Sequence, residues 1–424
     1  MKQALKVYIE ENKDEIFSLG EKLFNCPELG FKEFKTKEII IDYLNKHNLK
    51  VNKEFFQTGF SVSIGSGKPH IGLIAELDGI PTIGHPNASK TDNAAHSCGH
   101  STQVTIMLAA LDSLNQQIDK LKGQVTLFFT PAEEFTDIEY RKKLIDENKI
   151  KYLSGKQNML ADKIFDDCDL LIHLHSSSGS SGYRFSVNST LAGFIYKKIT
   201  FLGKAAHGAV CPDEGINALN MCNLFLNAVN MLRETFKDED MVRVHGIISK
   251  GGDTVNSIPE EVVYECYIRS ANPNYLLKLN ETVSNAARCC SKALGGNCAI
   301  EDIPGYLPLI PNEPLSKVLY KNMLDYTDAS KIKYNEKSIA AGDLGDVSVF
   351  KPVTQYGYTG FKGTMHGNDL QIADPYEVYI VQAEIVASSV IDLLTDKTLV
   401  DNIVNGFQPK MTYQQYLNYL NKQE

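Results

Sequence analysis

Three short apolar runs, separated by helical patterns, constrain the fold of this chain more than any other feature. Gln124 to Thr130 is β-branched and aromatic, and Pro131 stops it. Ile71 to Ala75 and Leu170 to Leu174 have the length of buried strands. Between the strands lie stretches with helical spacing, the clearest running from Gln103 to Asn115. The first fifty residues add two helical sets, Leu5, Ile9, Ile16, Leu19 and Leu23, then Ile39, Ile40, Tyr43 and Leu44. Pro27-Glu28-Leu29-Gly30 breaks the pattern between them. Strands alternating with helices predict an α/β fold with a mainly parallel sheet flanked by helices.

The style changes after the low-complexity turn Ser176 to Gly182. Phe194 to Leu202 and Val262 to Arg269 read as strands, and Gly215 to Leu232 and Leu276 to Ala293 as helices. Two helices over such strands make a small α+β domain, and α/β character returns from about Leu307. The expected organisation is therefore a main domain of residues 1–188 and 308–424 interrupted by an inserted domain of residues 189–307. A length of 424 residues suits two cores rather than one. A net charge of -9, without a basic run, argues against a nucleic-acid partner. No apolar run is expected to span a membrane, and Met1 to Lys13 lacks the apolar centre of a signal peptide. The nine cysteines have no framework spacing and read as reduced thiols, so the expected location is cytoplasmic.

Chemistry concentrates at the ends of the strands, where ligand sites gather in open α/β sheets. His96-Ser97-Cys98-Gly99-His100 puts one thiol and two imidazoles within reach of each other, with Gly99 allowing a tight turn. Glu133 and Glu134 follow the Gln124 to Thr130 strand. Such a pair can divide between a metal ligand and a general base, or can simply open a helix. His173 and His175 share a face at the end of another strand. His366 stands in a glycine-rich stretch. Cys98, His100, Glu134, His175 and His366 together offer mutually compatible ligands for two metal ions.

Seven segments in order make the chain resemble the M20 metallopeptidases, in particular the amidohydrolase branch of aminoacylases, auxin-conjugate hydrolases and aminobenzoyl-glutamate hydrolases. They are Pro27 to Phe34, Ala75 to Pro81, His96 to His100, Pro131 to Glu134, Gly203 to His207 with Pro212 to Leu219, Gly342 to Ser348, and His366. The resemblance implies a homodimer built through the inserted domain and two divalent ions, zinc or manganese with cobalt a third candidate. It implies Cys98, His100, Glu134, His175 and His366 as ligands, Cys98 bridging, and Glu133 as the base. It implies His207 as an oxyanion donor reaching across the dimer interface. Asn256 and Arg269, with His245 as a further candidate, would lie near the substrate's carboxylate. Asp78, His96 and Ser101 would support the ligands. The chain departs from its relatives at Ser101, where they have Asp or Asn, and at Glu76, where many have Asp. It also departs at the serines after His175 and at the longer His85 to Ala95 segment.

The implied reaction is hydrolysis of a small N-acyl or aroyl amino acid by a metal-held water. A dipeptidase or aminopeptidase would use the same site. A hydrolase with Cys98 as nucleophile, and a metal-binding protein without catalysis, are the readings from other classes; loss of activity on chelation and recovery with metal separates them from the first.

Overall fold

The computed structural model describes residues 1–177 and 182–421 and divides the chain into two compact units. Residues 178–181, within the serine-glycine turn, lie outside the described residues. The first unit comprises Met1–Thr190, Ile310–Lys337 and Asp346–Lys410. The second comprises Leu191–Leu309, Ser338–Gly345 and the chain from Met411. The sequence expectation had put those last two segments with the main domain.

The first unit is built on an eight-stranded sheet. Its spatial order is Val51–Phe55, Gly59–Ser66, Gly123–Thr130, His70–Glu76, Leu170–Ser176, Val353–Tyr358, Phe185–Val187, Ile332–Tyr334. The four strands from Gly123–Thr130 to Val353–Tyr358 are mutually parallel and form the centre. Gly59–Ser66 and Val51–Phe55 extend one edge in antiparallel fashion. Three of the parallel strands carry apolar runs because helices cover the sheet; every residue of His70–Glu76 is buried. Their shared direction brings Glu76, Thr130 and His175 to the same end of the sheet.

The helix His100–Asn115 is buried along nearly its whole length. Gly99 precedes it at φ 84°, and a Cβ there would sit 2.5 Å from Ser176 Oγ. Only glycine both adopts that backbone and leaves that space. The segment Tyr376–Thr395 is long and apolar enough to cross a membrane, contrary to the expectation that no run would be. It is a core helix instead, with Val378 to Val381 and most of Gln382–Thr395 buried in the main cluster.

The second unit has a four-stranded antiparallel sheet ordered Arg243–Lys250, Glu261–Ser270, Gly193–Leu202, Asn297–Pro304. Glu261–Ser270 alternates strictly between buried and half-buried residues, so one face packs and the other does not. The helices Ala218–Leu232 and Pro273–Ala293 cover the packed face, capped by Asn217 and Asn272.

Candidate metal centre

Four chain segments place the ligand-type side chains of the first unit: one carries Cys98 and His100, one Glu133 and Glu134, one His175 and one His366. Cys98 precedes the N-terminus of the His100–Asn115 helix, whose dipole favours a thiolate there. Its Sγ lies 3.4 Å from His175 Nε2 at the end of the Leu170–Ser176 strand. Cys98, His100 and His175 bring one ligand atom each within 4.8 Å of one another, and so do Cys98, Glu134 and His366. Cys98 belongs to both groups. A third group, Glu76, His100 and Glu133, adjoins them through His100.

The surrounding contacts aim these atoms. His100 Nδ1 lies 2.9 Å from the Asp78 carbonyl and 3.2 Å from Asp78 Oδ1, so its Nε2 faces the cluster. Asp78 Oδ2 accepts from Glu134 N at 2.9 Å, tying the two ligand segments together. Arg141, wholly buried, donates to the Glu134 carbonyl. His175 Nδ1 lies 2.9 Å from the Ser176 carbonyl, leaving Nε2 toward Cys98. His366 is exposed at φ 61°, with its amide bonded to the Ser97 carbonyl and Nε2 3.5 Å from Glu134 Oε1.

The electrostatics suit a cation. Burial pushes the Cys98 thiol well above its ordinary value, and the Glu134 charge adds to it; a cation beside the sulfur would reverse this. Burial lowers His175 to about 4, keeping the imidazole neutral and able to donate a lone pair. Burial also raises the Glu134 carboxyl, although the His100 and His366 charges oppose it. Glu134 Oε1 and His100 Nε2 are buried without a hydrogen-bond partner. Orphaned ligand atoms inside a thiolate, imidazole and carboxylate set fit a pair of divalent ions.

Other expected residues fall in different places. His96 and Ser101 are buried next to the ligand segments; burial, with the His100 charge, lowers His96 to about 3, and Ser101 Oγ has no hydrogen-bond partner. His173 does not join the ligand groups. Its ring lies 6.4 Å from that of His175, between Gln355 and Gln103. In the second unit, His207 is exposed and its Nε2 is 3.1 Å from Asn256 Nδ2. The amides of Ala209 and Val210 donate to His207 Nδ1. Arg269 stacks over Phe194 and Tyr267 and donates to the Ile339 carbonyl at 3.1 Å. His245 faces Tyr267 on the neighbouring strand.

Sequence reasoning named Glu76 only as a departure and missed Lys156 altogether. Lys156 Nζ donates to Glu76 Oε1 at 2.6 Å with both side chains buried. Gln103 Nε2 donates to Glu76 Oε2 at 2.8 Å, and His100 Nε2 and His173 Nε2 lie 3.2 and 3.3 Å from the carboxylate. Burial alone would raise Glu76, but the Lys156, His173 and His100 charges hold it well below the usual carboxylate range. The only sequence signal was Glu76 itself, a carboxylate ending an otherwise apolar strand.

Known proteins bear on this geometry. The model of peptidase family M20/M25/M40 matches residues 72–391. A Xaa-Arg dipeptidase of Mus musculus is 23% identical over 99% of this chain and 94% of its own length. An N-acetyldiaminopimelate deacetylase of Streptococcus pneumoniae is 27% identical over 76% of this chain and 84% of its own. A dinuclear metal-binding peptidase of Bacillus subtilis superposes with a TM-score of 0.71 at 18% identity, covering 91% of this chain and 99% of that one.

Proposed function

The chain belongs to peptidase family M20/M25/M40 and is a metal-dependent hydrolase of amide or peptide bonds, and from that premise we propose that it cleaves small N-acyl or aroyl amino acids. Cys98, His100, Glu134, His175 and His366 would hold two divalent cations, Cys98 belonging to both groups of ligand atoms. Zinc suits the thiolate and imidazoles, manganese the carboxylate, and cobalt is the third candidate. When bound, such ions polarise an amide carbonyl and acidify a water. The observation that carries the reading is the membership of Cys98 in both ligand groups.

The chain's own residues supply the rest. Glu133, adjacent to Glu134 and 3.8 Å from His100 Nε2, takes the proton of the attacking water and returns it to the leaving amine. His207 Nε2–H donates to the oxyanion across a homodimer interface. Asn256 orients His207, and Arg269 and His245 receive the substrate's carboxylate end. The free edge strand Arg243–Lys250, with Ile247 and Ile248 exposed, supports pairing through the second unit. Free cysteines throughout fit a reducing compartment, and we assign the protein to the cytoplasm.

The test is a panel of N-acetyl and N-aroyl amino acids against dipeptides with a free amine, run with zinc, manganese and cobalt in turn. Preference for acylated substrates is expected. The Xaa-Arg dipeptidase, alignable over nearly the whole chain, favours a dipeptidase as the second reading; turnover of free-amine dipeptides alone would establish it. Mixing inactive Glu133→Ala and His207→Ala subunits should restore part of the activity, and no recovery despite subunit exchange would remove the shared site.

A further inference from the structure

The turn that presents Glu133 is held in an unfavourable backbone conformation. Ala132 has φ 55°, in the left-handed region that crowds the Cβ of an L-residue against the backbone. Such a conformation persists only where surrounding groups impose it. Here the Ala132 amide donates to Glu33 Oε1 at 2.9 Å, and its carbonyl accepts from Gly155 N at 3.2 Å. Thr58 Oγ1 donates to Glu33 Oε2 at 2.6 Å, fixing the carboxyl from its other side. Glu33 is wholly buried, 99 positions from Ala132 in sequence, and touches no residue of the ligand groups through these bonds. Gly30 and Gly155 leave the space: a Cβ on Gly30 would sit 2.7 Å from Ala132 Cβ, and one on Gly155 would sit 1.8 Å from the Pro131 carbonyl oxygen.

We propose that Glu33 is a positioning residue for Glu133, acting by holding Ala132 in its left-handed conformation. The inference rests on Glu133 being the general base. With Ala132 tied on both its amide and its carbonyl, and Glu134 tied likewise by Asp78 and Arg141, the base is fixed from both neighbours. Burial, with the nearby Asp78 charge, raises the Glu33 carboxyl to about 8, so glutamine is a close replacement at neutral pH.

The experiment is a double-mutant cycle of Glu33→Ala and Ala132→Gly, with Glu33→Gln alongside. It reads kcat, KM, bound metal, and the urea midpoint of metal-free protein. Glu33→Ala should lower kcat roughly 10- to 100-fold, the cost of a misplaced catalytic group, with KM and metal content unchanged. Glu33→Gln should stay within about 3-fold, because its amide can accept from Ala132 N and bond Thr58. Glycine enters the left-handed region freely, so Glu33→Ala/Ala132→Gly should regain at least about 5-fold in kcat, with coupling of the same sign in the urea midpoint. Unchanged kcat in Glu33→Ala, or losses that simply add, overturns the proposal. If Glu33→Ala does not fold, Glu33→Asp, one methylene too short to reach Ala132, carries the same cycle. Full activity of Glu133→Gln would sink the base assignment instead, while coupling between positions 33 and 132 in the metal-free protein would remain.

Discussion

Replacing Lys156 by methionine tests the buried charge pair beside the metal centre. The Nζ–Oε1 separation is 2.6 Å and the side chains are 0% and 2% exposed. At an effective dielectric of about 20, unit charges that close attract by about 6 kcal/mol. Methionine matches the length of the lysine stem but leaves Glu76 charged and buried. Its remaining neighbours are Gln103 Nε2, which donates to Oε2, and the His100 and His173 rings, whose Nε2 atoms lie 3.2 and 3.3 Å from the carboxylate. Breaking one side of a buried pair costs about 3–5 kcal/mol, and Lys156→Met should fall in that range. Removing both charges, in Lys156→Met/Glu76→Gln, should bring stability back to within about 1–2 kcal/mol of the starting protein. The assay is urea unfolding of metal-stripped protein at pH 8, so that no bound ion contributes. A single variant within about 1 kcal/mol of the parent would refute the reasoning. So would a double variant as unstable as the single one, since the ammonium would then act through something other than Glu76.

Removing the Cys98 sulfur (Cys98→Ala) should abolish binding of both ions, whereas His366→Ala should leave one ion bound, as read by elemental analysis after dialysis; equal stoichiometry in the two variants would contradict a shared ligand. Glu133→Gln should retain both metals and lose about 2–4 powers of ten in kcat. Chelation should abolish turnover and added divalent metal restore it, and activity that survives complete metal removal would point to a Cys98 nucleophile. The Glu33 carboxyl, raised to about 8 in the fold, contributes stability that is complete below the ordinary carboxylate range and is lost as pH rises through about 8. Urea midpoints measured from pH 5 to 9 should therefore fall less steeply in Glu33→Gln than in the parent; identical slopes would show that Glu33 ionises as it would in water.

The central strands and the long helices were legible because their patterns are local. Leu170 to Leu174 is buried throughout and apolar except at His173, as suits a parallel strand covered on both sides. The ligand residues stood out because thiol, imidazole and carboxylate at strand ends have few other uses in an apolar frame. What periodicity cannot show is which distant groups meet. Nothing around Lys156 marks it as buried, and its partner lies 80 positions away. The assignment of the last helix was hidden for the same reason. Tyr413–Leu420 is a short amphipathic helix with a Thr412–Gln415 capping box, a signal equally at home on either unit. Its attachment to the second unit shows only in three dimensions, where Tyr419 Oη donates to the Gly305 carbonyl. The apolar length of Tyr376–Thr395 went unread in the sequence, and composition alone does not distinguish lipid from a protein core.

The insertion of the second unit between His175 and His366 makes the two ligand groups unequal in time. Cys98, His100 and His175 are all synthesised before the second unit begins at Leu191. The group containing His366 stays incomplete until the Leu191–Leu309 and Ser338–Gly345 segments of that unit have been made. A growing chain therefore carries one completed three-ligand group with its thiol while the other waits for its last imidazole. The order of chain growth gives the first group the earlier opportunity to take up an ion.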